Sequence, residues 1–319
     1  MACSGGVDSV VLAHALAARA PRLELTISLA HVNHGLRRAQ SDDDEAFVAA
    51  LARDLGVRFE SHRVDPRARL TAASSSRLRP TLQEAARRLR ADALRELAAK
   101  LGAAHVATAH TADDQAETVL MRLLRGSGPE GLGGIAERSP DGVVVRALLR
   151  TSRASVLVHA RRHAVRWRED PTNRDRHYAR ARLRHDWMPG LAAAFNPALL
   201  RAIGDLAEAQ RRESEWTAAW VESEASRRFS AEADGSLRIA AEGWEPAATP
   251  DALARRLARV ALHRMGASRD VSRMHLDRIV RFWRSGRRGR VLELPGDLAL
   301  YRDAHGFRLG RRLPLMTGC

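Results

Sequence analysis

The chain has 319 residues, 45% hydrophobic and 29% charged, a globular balance with material for about two domains. No apolar run reaches the roughly 18 residues of a membrane span and no secretory-signal pattern opens the chain, so a cytoplasmic protein without a membrane partner is expected. Two cysteines, Cys3 and Cys319, exclude a disulfide framework and a Cys-rich zinc site, while a net charge of +15 points to a polyanionic partner, above all nucleic acid.

Three- and four-residue apolar spacing predicts helices over 9–19, 42–55, 82–101 and 113–125. Between them Leu23–His31, Val57–Val64, Ala104–Ala109 and Val143–Leu149 read as strands, the alternation of βαβ units around a parallel sheet. Thr81 with Glu84 forms a capping box. Ser41 is an N-cap ahead of Asp42-Asp43-Asp44, so the acidic run reads as a helix start rather than a metal site. From 196 the strand signal fades. Residues 196–229 read as one long helix, followed by a loop at Ala233-Asp234-Gly235-Ser236 and two helices within 251–285. Short strands over Arg290–Leu309 turn at Pro295-Gly296 and His305-Gly306. The expected fold class is α/β: a Rossmann-like parallel-sheet domain over 1–195, then a smaller, basic, mostly helical domain over 196–319 that begins with a connector helix.

Ser4-Gly5-Gly6-Val7-Asp8-Ser9 stands immediately before the first helix. Adjacent glycines let the backbone turn tightly and aim N–H groups inward, the helix N-terminus adds partial positive charge, and two serines add hydroxyls. Such a pocket suits a pyrophosphate, and Asp8 then makes sense as a ligand holding Mg²⁺ against the phosphates. The bland alternative is a glycine turn capping an ordinary helix. No Gly-Lys-Ser/Thr follows, so this is not a Walker loop. Gly126–Gly134 follows a helix rather than a strand and reads as a flexible loop near a site, not a dinucleotide fingerprint.

Asp114 and Glu117, three residues apart on a helix, present both carboxylates to one side, with His110 just before them and Thr111 able to cap. They can bind Mg²⁺, hold the cationic end of an amino acid, or merely complement the helix dipole. His31 and His34, at the end of a parallel strand, fit the wall of a nucleotide crevice better than a zinc site, for which a third ligand is not evident. Arg37, Arg87 and Arg125 are candidates for neutralising phosphate. Since Lys100 is the sole lysine and every other basic residue is arginine, most arginines must be ordinary surface. The six tryptophans read as packing residues rather than base-stacking platforms.

The hexapeptide resembles the PP-loop of the ATP pyrophosphatase superfamily, whose members cleave ATP between its α and β phosphates. Further segments are similar to the tRNA(Ile)-lysidine synthetases: His31–Arg37, Ala107–Thr118 running into Arg125–Gly128, Glu84–Arg90, Trp167–Asn173 and Arg180–Arg184. The likeness covers the first 200 residues well and the rest loosely. It implies ATP and Mg²⁺, L-lysine, and tRNA(Ile) with a CAU anticodon as substrates and partners. Ser4, Gly5, Gly6, Val7, Asp8 and Ser9, with His31 and His34, would bind ATP. Asp8 and Asp114 would hold the metal. Asp8, Arg87, Asp114, Glu117 and Arg184 would be catalytic, with Asp114 and Glu117 serving magnesium or lysine, and Arg87 and Arg184 the phosphate or adenylated intermediate. The basic C-terminal domain would grip the tRNA body. A homodimer is among the assemblies left open.

Three departures from that pattern matter. Only Met1-Ala2-Cys3 precede the loop where the resemblance implies a full strand, so a sheet lacking most of its central strand is expected. Arg146-Ala147-Leu148-Leu149 replaces an Arg-Pro-Leu-Leu segment, and Arg180-Ala181 an Arg-Asn pair. Competing readings are another PP-loop enzyme such as a tRNA thiolase, which generally needs paired cysteines, an ammonia-using amidating synthetase, and a tRNA-binding protein without catalysis.

Overall fold

The computed structural model describes residues 1–35, 39–71, 82–169, 176–267 and 271–312. Two compact units divide the chain, Met1–Arg212 and Glu213–Cys319, with the boundary inside the long helix. Arg37, the Thr81–Glu84 capping pair, Asp170–Asn173 and Cys319 lie outside what is described of backbone or side chain.

The first unit alternates helix and strand: α1 Val7–Arg19, β1 Ser28–Asn33, α2 Ala39–Asp54, β2 Arg58–Arg63, α3 Pro66–Thr71, α4 Leu82–Lys100, β3 Val106–Ala107, α5 Ala112–Leu124, α6 Pro129–Leu132, β4 Val144–Val145 and α7 Arg153–Arg162. Then α8 Ala179–Arg182, a π turn Leu183–Trp187 and α9 Met188–Ala194 lead into α10 Leu199–Arg228. The first strand is shorter than expected because Glu24 takes a left-handed backbone, φ 52°, which breaks the extended run and leaves Leu23 and Leu25 exposed. Helix α2 starts at Ala39, so Ser41 lies within its first turn rather than capping it. Its acidic residues are held by protein groups: the Asn33 amide donates to Asp42 and Glu45, and Arg168 pairs with Asp44.

β1 pairs with β2 and β3 with β4, all parallel. Met1–Cys3 joins the two pairs. The Ala30 N–H donates to the Met1 carbonyl (2.8 Å) and the Cys3 N–H to the Ala30 carbonyl (2.9 Å). The Ala2 N–H donates to the Ala107 carbonyl (2.9 Å). Three residues thus stand where the resemblance implies a full central strand, as expected, and connect β1 to β3. Helices cover both faces, as a parallel sheet requires. Val10, Leu29, Val48 and Ala160 from α1, β1, α2 and α7 form one core, and Ala30, Leu94, Leu97 and Val106 form the other around α4. Each buried Val or Leu among them stabilises by about 1.5–3 kcal/mol. The sheet therefore presents the ends of β1 and β3, and the loop after Cys3, along one edge.

Beyond residue 195 the chain is mostly helical, with α10, α11 Asp251–Arg264 and α12 Arg273–Ser285. Five strands, β5 Phe229–Ala231, β6 Leu237–Ile239, β7 Val291–Leu294, β8 Leu298–Arg302 and β9 Phe307–Arg311, make one antiparallel sheet in the order β5-β6-β9-β8-β7. The first two were not read as strands, because three-residue strands carry too little alternation to register. The second unit packs around Trp244 and Trp283, whose rings stack 4.0 Å apart, together with Leu257, Leu262, Ile279, Leu300 and Phe307. No helix among the described residues is long and apolar enough to cross a membrane.

Candidate active site

The loop Ser4–Ser9 emerges from the sheet edge and turns into α1. Gly5 has φ +86°, a conformation that side chains resist, and Gly6 is the helix N-cap without a side-chain partner. The first N–H groups of α1 are therefore left to the loop's concave side, with the positive end of the helix dipole behind them. Ser9 holds the turn together: its hydroxyl donates to the Gly6 carbonyl (2.8 Å), accepts from the Ser4 N–H (3.2 Å), and lies 3.3 Å from the Ser4 hydroxyl. His31, 5% exposed, places Nδ1 2.9 Å from the Cys3 carbonyl, tying β1 to the residue before the loop. Cys3 itself is buried and donates to Ser9. His31 thus supports the loop from within the sheet rather than facing open space.

Asp8, in the first turn of α1, faces α5 and α7. Its Oδ2 pairs with Arg153 Nη1 at 3.1 Å, and its Oδ1 is buried without any hydrogen-bond partner. Burial raises the carboxyl above its ordinary value. Asp114 and Asp113 push the same way, and Arg153 and Arg184 oppose them without prevailing. Arg153 is a junction residue, for its backbone N–H also donates to Asp113 Oδ2 at 2.7 Å. The sequence reading passed it over. A serine N-cap, Ser152, marks the α7 start and was the available signal that Arg153 sits at a helix N-terminus.

Helix α5 is built to aim its carboxylates. Thr111 and Asp114 make a reciprocal capping box, in which the Thr111 N–H donates to Asp114 Oδ2 at 2.9 Å. Asp114 and Glu117 share one face, as their spacing predicts, but that face is occupied by two arginines. Glu117, fully buried, accepts from Arg180 Nε at 2.6 Å and from Arg184 Nε and Nη2 at 2.5 and 3.0 Å. Asp114 Oδ1 takes Arg180 Nη2 at 3.1 Å and Arg184 Nη2 at 3.4 Å. Arg184, expected on phosphate, instead clamps Glu117, and Arg180 emerges as its equal. Burial works against the Arg184 charge, but the Glu117 hydrogen bond and the surrounding carboxylates raise its pKa.

Behind this cluster lie neutral histidines and a basic face. His34 is held down to about 4 by burial, with Arg90 and His31 adding to the effect, and its buried Nδ1 has no partner. His110, 3.0 Å from the Thr108 hydroxyl, is likewise lowered by burial. Arg87 is exposed and within electrostatic reach of Arg90, Arg122 and Arg146, so four guanidinium groups concentrate charge here. Arg125 is the C-cap of α5, at the other end of that helix from Asp114. The 126–134 segment, read as flexible, is fastened. Gln115 bonds both the N–H and the carbonyl of Ile135, and Arg122 donates to the Gly131 and Gly134 carbonyls.

For a divalent cation the residues fit unequally. Asp8 Oδ1 is a buried, unpartnered carboxylate oxygen beside an anion loop, the donor that Mg²⁺ takes. Both oxygens of Asp114 are already engaged by Thr111, Arg180 and Arg184. Taken together, the loop, Asp8, the Asp114–Glu117 pair and the basic face can hold a polyphosphate and, beside it, a cationic group.

Comparison with known proteins agrees with this geometry. The family described as PP-loop domain matches residues 1–191. The chain is 37% identical over 273 residues to a tRNA(Ile)-lysidine synthase of Symbiobacterium thermophilum, covering 84% of this chain and 55% of that one. It is 38% identical over 314 residues to the same-named protein of Solibacter usitatus, covering 96% and 66%. The Thermus thermophilus relative is 43% identical over 213 residues, 67% of this chain and 39% of that one. The chain thus spans between half and two thirds of the length of the first two relatives. A solved structure, the U34-tRNA thiolase NcsA of Methanococcus maripaludis with its [4Fe-4S] cluster, superposes with TM-score 0.52 at 19% identity, over 65% of this chain and 70% of that one. That likeness is one of fold.

Proposed function

The chain belongs to the PP-loop domain family, and on that premise we propose that it is an ATP-dependent tRNA(Ile)-lysidine synthetase. In this reading the wobble cytidine of a CAU anticodon attacks the ATP α-phosphate through its C2 oxygen, expelling pyrophosphate. The ε-amine of free lysine then attacks C2, forms the C–N bond and displaces AMP. The observation that carries it is the convergence of the Ser4–Ser9 anion loop and the unpartnered Asp8 oxygen with the Asp114–Glu117 pair.

The N–H groups of the loop and the α1 dipole would hold the departing pyrophosphate, which gains charge as the bond breaks. Asp8 Oδ1 would hold Mg²⁺, which spreads that charge when bound. Arg87 and its basic neighbours would meet the phosphates entering from the tRNA side. Asp114 and Glu117 would receive the lysine ammonium by exchanging it for Arg180, the more exposed of their two guanidinium partners at 45% against 24% for Arg184. Released arginine would then face the adenylate phosphate. The cytidine has to leave the anticodon stack to reach this pocket, while arginines of the second unit would contact phosphates and set orientation.

The test is incorporation of labelled lysine into CAU-anticodon tRNA with ATP and Mg²⁺, followed by mild alkali to strip any aminoacyl ester. Label that survives, with one AMP formed per lysine, is the expected result. Tight tRNA binding with no alkali-stable label overturns the proposal.

A further inference from the structure

Arg153 stands where the N-termini of three helices meet. It is the first residue of α7, directly after the Ser152 N-cap. Its backbone N–H donates to Asp113 in the first turn of α5 (2.7 Å), and the Ala112 N–H of that turn donates to the Thr151 carbonyl (2.9 Å). Its guanidinium reaches Asp8 in the first turn of α1 (3.1 Å). The backbone is therefore pinned while the side chain hangs on one contact. Among the described residues Asp8 is the guanidinium's sole hydrogen-bonding partner, and the side chain is 33% exposed, open enough to turn. Arg180 and Arg184, by contrast, each bond both Asp114 and Glu117.

Converging helix N-termini favour an anion and disfavour a guanidinium. Asp8 is the carboxylate that holds Arg153 there, since Asp113 Oδ2 and both Asp114 oxygens are engaged by other groups. That balance fails once a divalent cation takes Asp8 Oδ1, because a single negative charge then faces two positive charges on the metal and one on the arginine. A phosphate resolves the conflict. Guanidinium donors match a pair of phosphate oxygens, and the function proposed above puts the phosphates of ATP in the adjoining Ser4–Ser9 loop. We infer that Arg153 is a phosphate-binding residue held in reserve, which passes from Asp8 to an ATP phosphate and thereby releases Asp8 to the metal. The move is a rotation of one side chain about a fixed backbone. It makes metal and nucleotide bind cooperatively, each clearing the way for the other. The inference rests on the assignment of Asp8 to Mg²⁺ and of the loop to ATP.

Binding of Mn²⁺ to the full chain without nucleotide, read by electron paramagnetic resonance at about 0.3 M salt so that distant charges are screened, tests the first half. Arg153→Met should bind Mn²⁺ about fivefold or more tighter than wild type, because the rival cation is gone. With Mg²⁺ in excess, the same variant should bind ATP about fivefold or more weakly by calorimetry, because the phosphate contact is gone. Arg153→Lys keeps the charge, and should return Mn²⁺ affinity toward wild type and recover part of the ATP affinity. A plain brace between α1 and α7 gives a different first result: Mn²⁺ affinity falls or holds as Asp8 loses its anchor. That outcome, or an unchanged ATP affinity, overturns the inference alone. Adding Asp8→Asn to Arg153→Met should cancel the gain in Mn²⁺ affinity. A gain that survives shows that Asp8 is not the metal ligand, and overturns the underlying assignment together with the inference.

Discussion

Glu117→Ala should be the most damaging single change in the first unit. Glu117 is fully buried and accepts three hydrogen bonds from Arg180 and Arg184, all charge-assisted. Removing one partner of a buried ion pair typically costs about 3–5 kcal/mol, because the other charge is stranded. Here the stranded groups are not sealed in: the Arg180 side chain is 45% exposed and that of Arg184 24%, so water partly replaces the carboxylate. The low end, about 3 kcal/mol, is therefore expected. For a folding unit of this size that is a drop of roughly 6–12 °C in Tm. Calorimetry on the full chain, following the transition of the first unit, reads it directly. A second comparison isolates the cause. Glu117→Leu combined with Arg184→Leu removes the carboxylate and the more buried of its two cations and leaves Arg180 to Asp114, so it should recover much of the loss. A Glu117→Ala shift below about 2 °C, or a double variant as unstable as the sum of its singles, would refute the view that α5 is held by this ionic clamp.

Asp8→Asn should abolish AMP formation yet raise stability at neutral pH. The folded-state pKa of Asp8 is raised, so the protonated form is favoured by folding and the penalty for its charge grows as pH rises through the ordinary value of 3.8 and beyond. The Asn variant's Tm advantage should vanish below that value, and an advantage that persists in acid would contradict the assignment. His34, at about 4, refuses the proton that the unfolded chain accepts below 6.5. Stability should thus fall between pH 6.5 and 4, with no His34 contribution above that window, and His34→Gln should flatten the slope in urea titrations. Gly134 combines φ +62° with a Cβ position 2.5 Å from Gln115 Oε1, whereas Gly126 has φ +72° and open space. Gly126→Ala should cost about 1–2 kcal/mol for the backbone alone. Gly134→Ala should cost clearly more, and equal values by denaturant unfolding would show that the Gln115 clamp on Ile135 is not tight.

The alternation of the first unit was legible because its helices are amphipathic over three or more turns, long enough for the 3.6-residue period to declare itself. Its strands were legible in position but not in length. β3 and β4 pair over two residues each, because the chain leaves the sheet at once to place Thr108, His110 and the α5 cap. What no local pattern revealed was the service of Met1–Cys3 as the link between β1 and β3. Backbone hydrogen bonds to Ala30 and Ala107 require only main-chain atoms at the right place, and these leave no side-chain signature. The antiparallel sheet of the second unit was half visible for a related reason. Its hairpins carry turn signals at Pro295-Gly296 and His305-Gly306, while β5 continues directly out of α10 and borrows its helical periodicity.

The acidic side of the site could be read and the basic side could not, and the reason lies in sequence separation. Asp114 and Glu117 lie within one turn, so spacing alone puts them on one face, and the Ser4–Ser9 loop is a contiguous hexapeptide. Their partners come from far away: Arg153 is 145 residues from Asp8, and Arg180 and Arg184 are 63 and 67 residues from Glu117. In a chain whose basic residues are almost all arginine, nothing local separates a clamp from ordinary surface. Arg87 and Arg184 were picked by resemblance, and Arg180, in a pair that departs from the pattern, was given no role. Yet Ala181 is small and buried, while Arg180 spans both carboxylates. Burial explains the asymmetry. A carboxylate with no exposed surface must be paired, so Glu117 demands a nearby cation, and that demand becomes visible only when the burial is known.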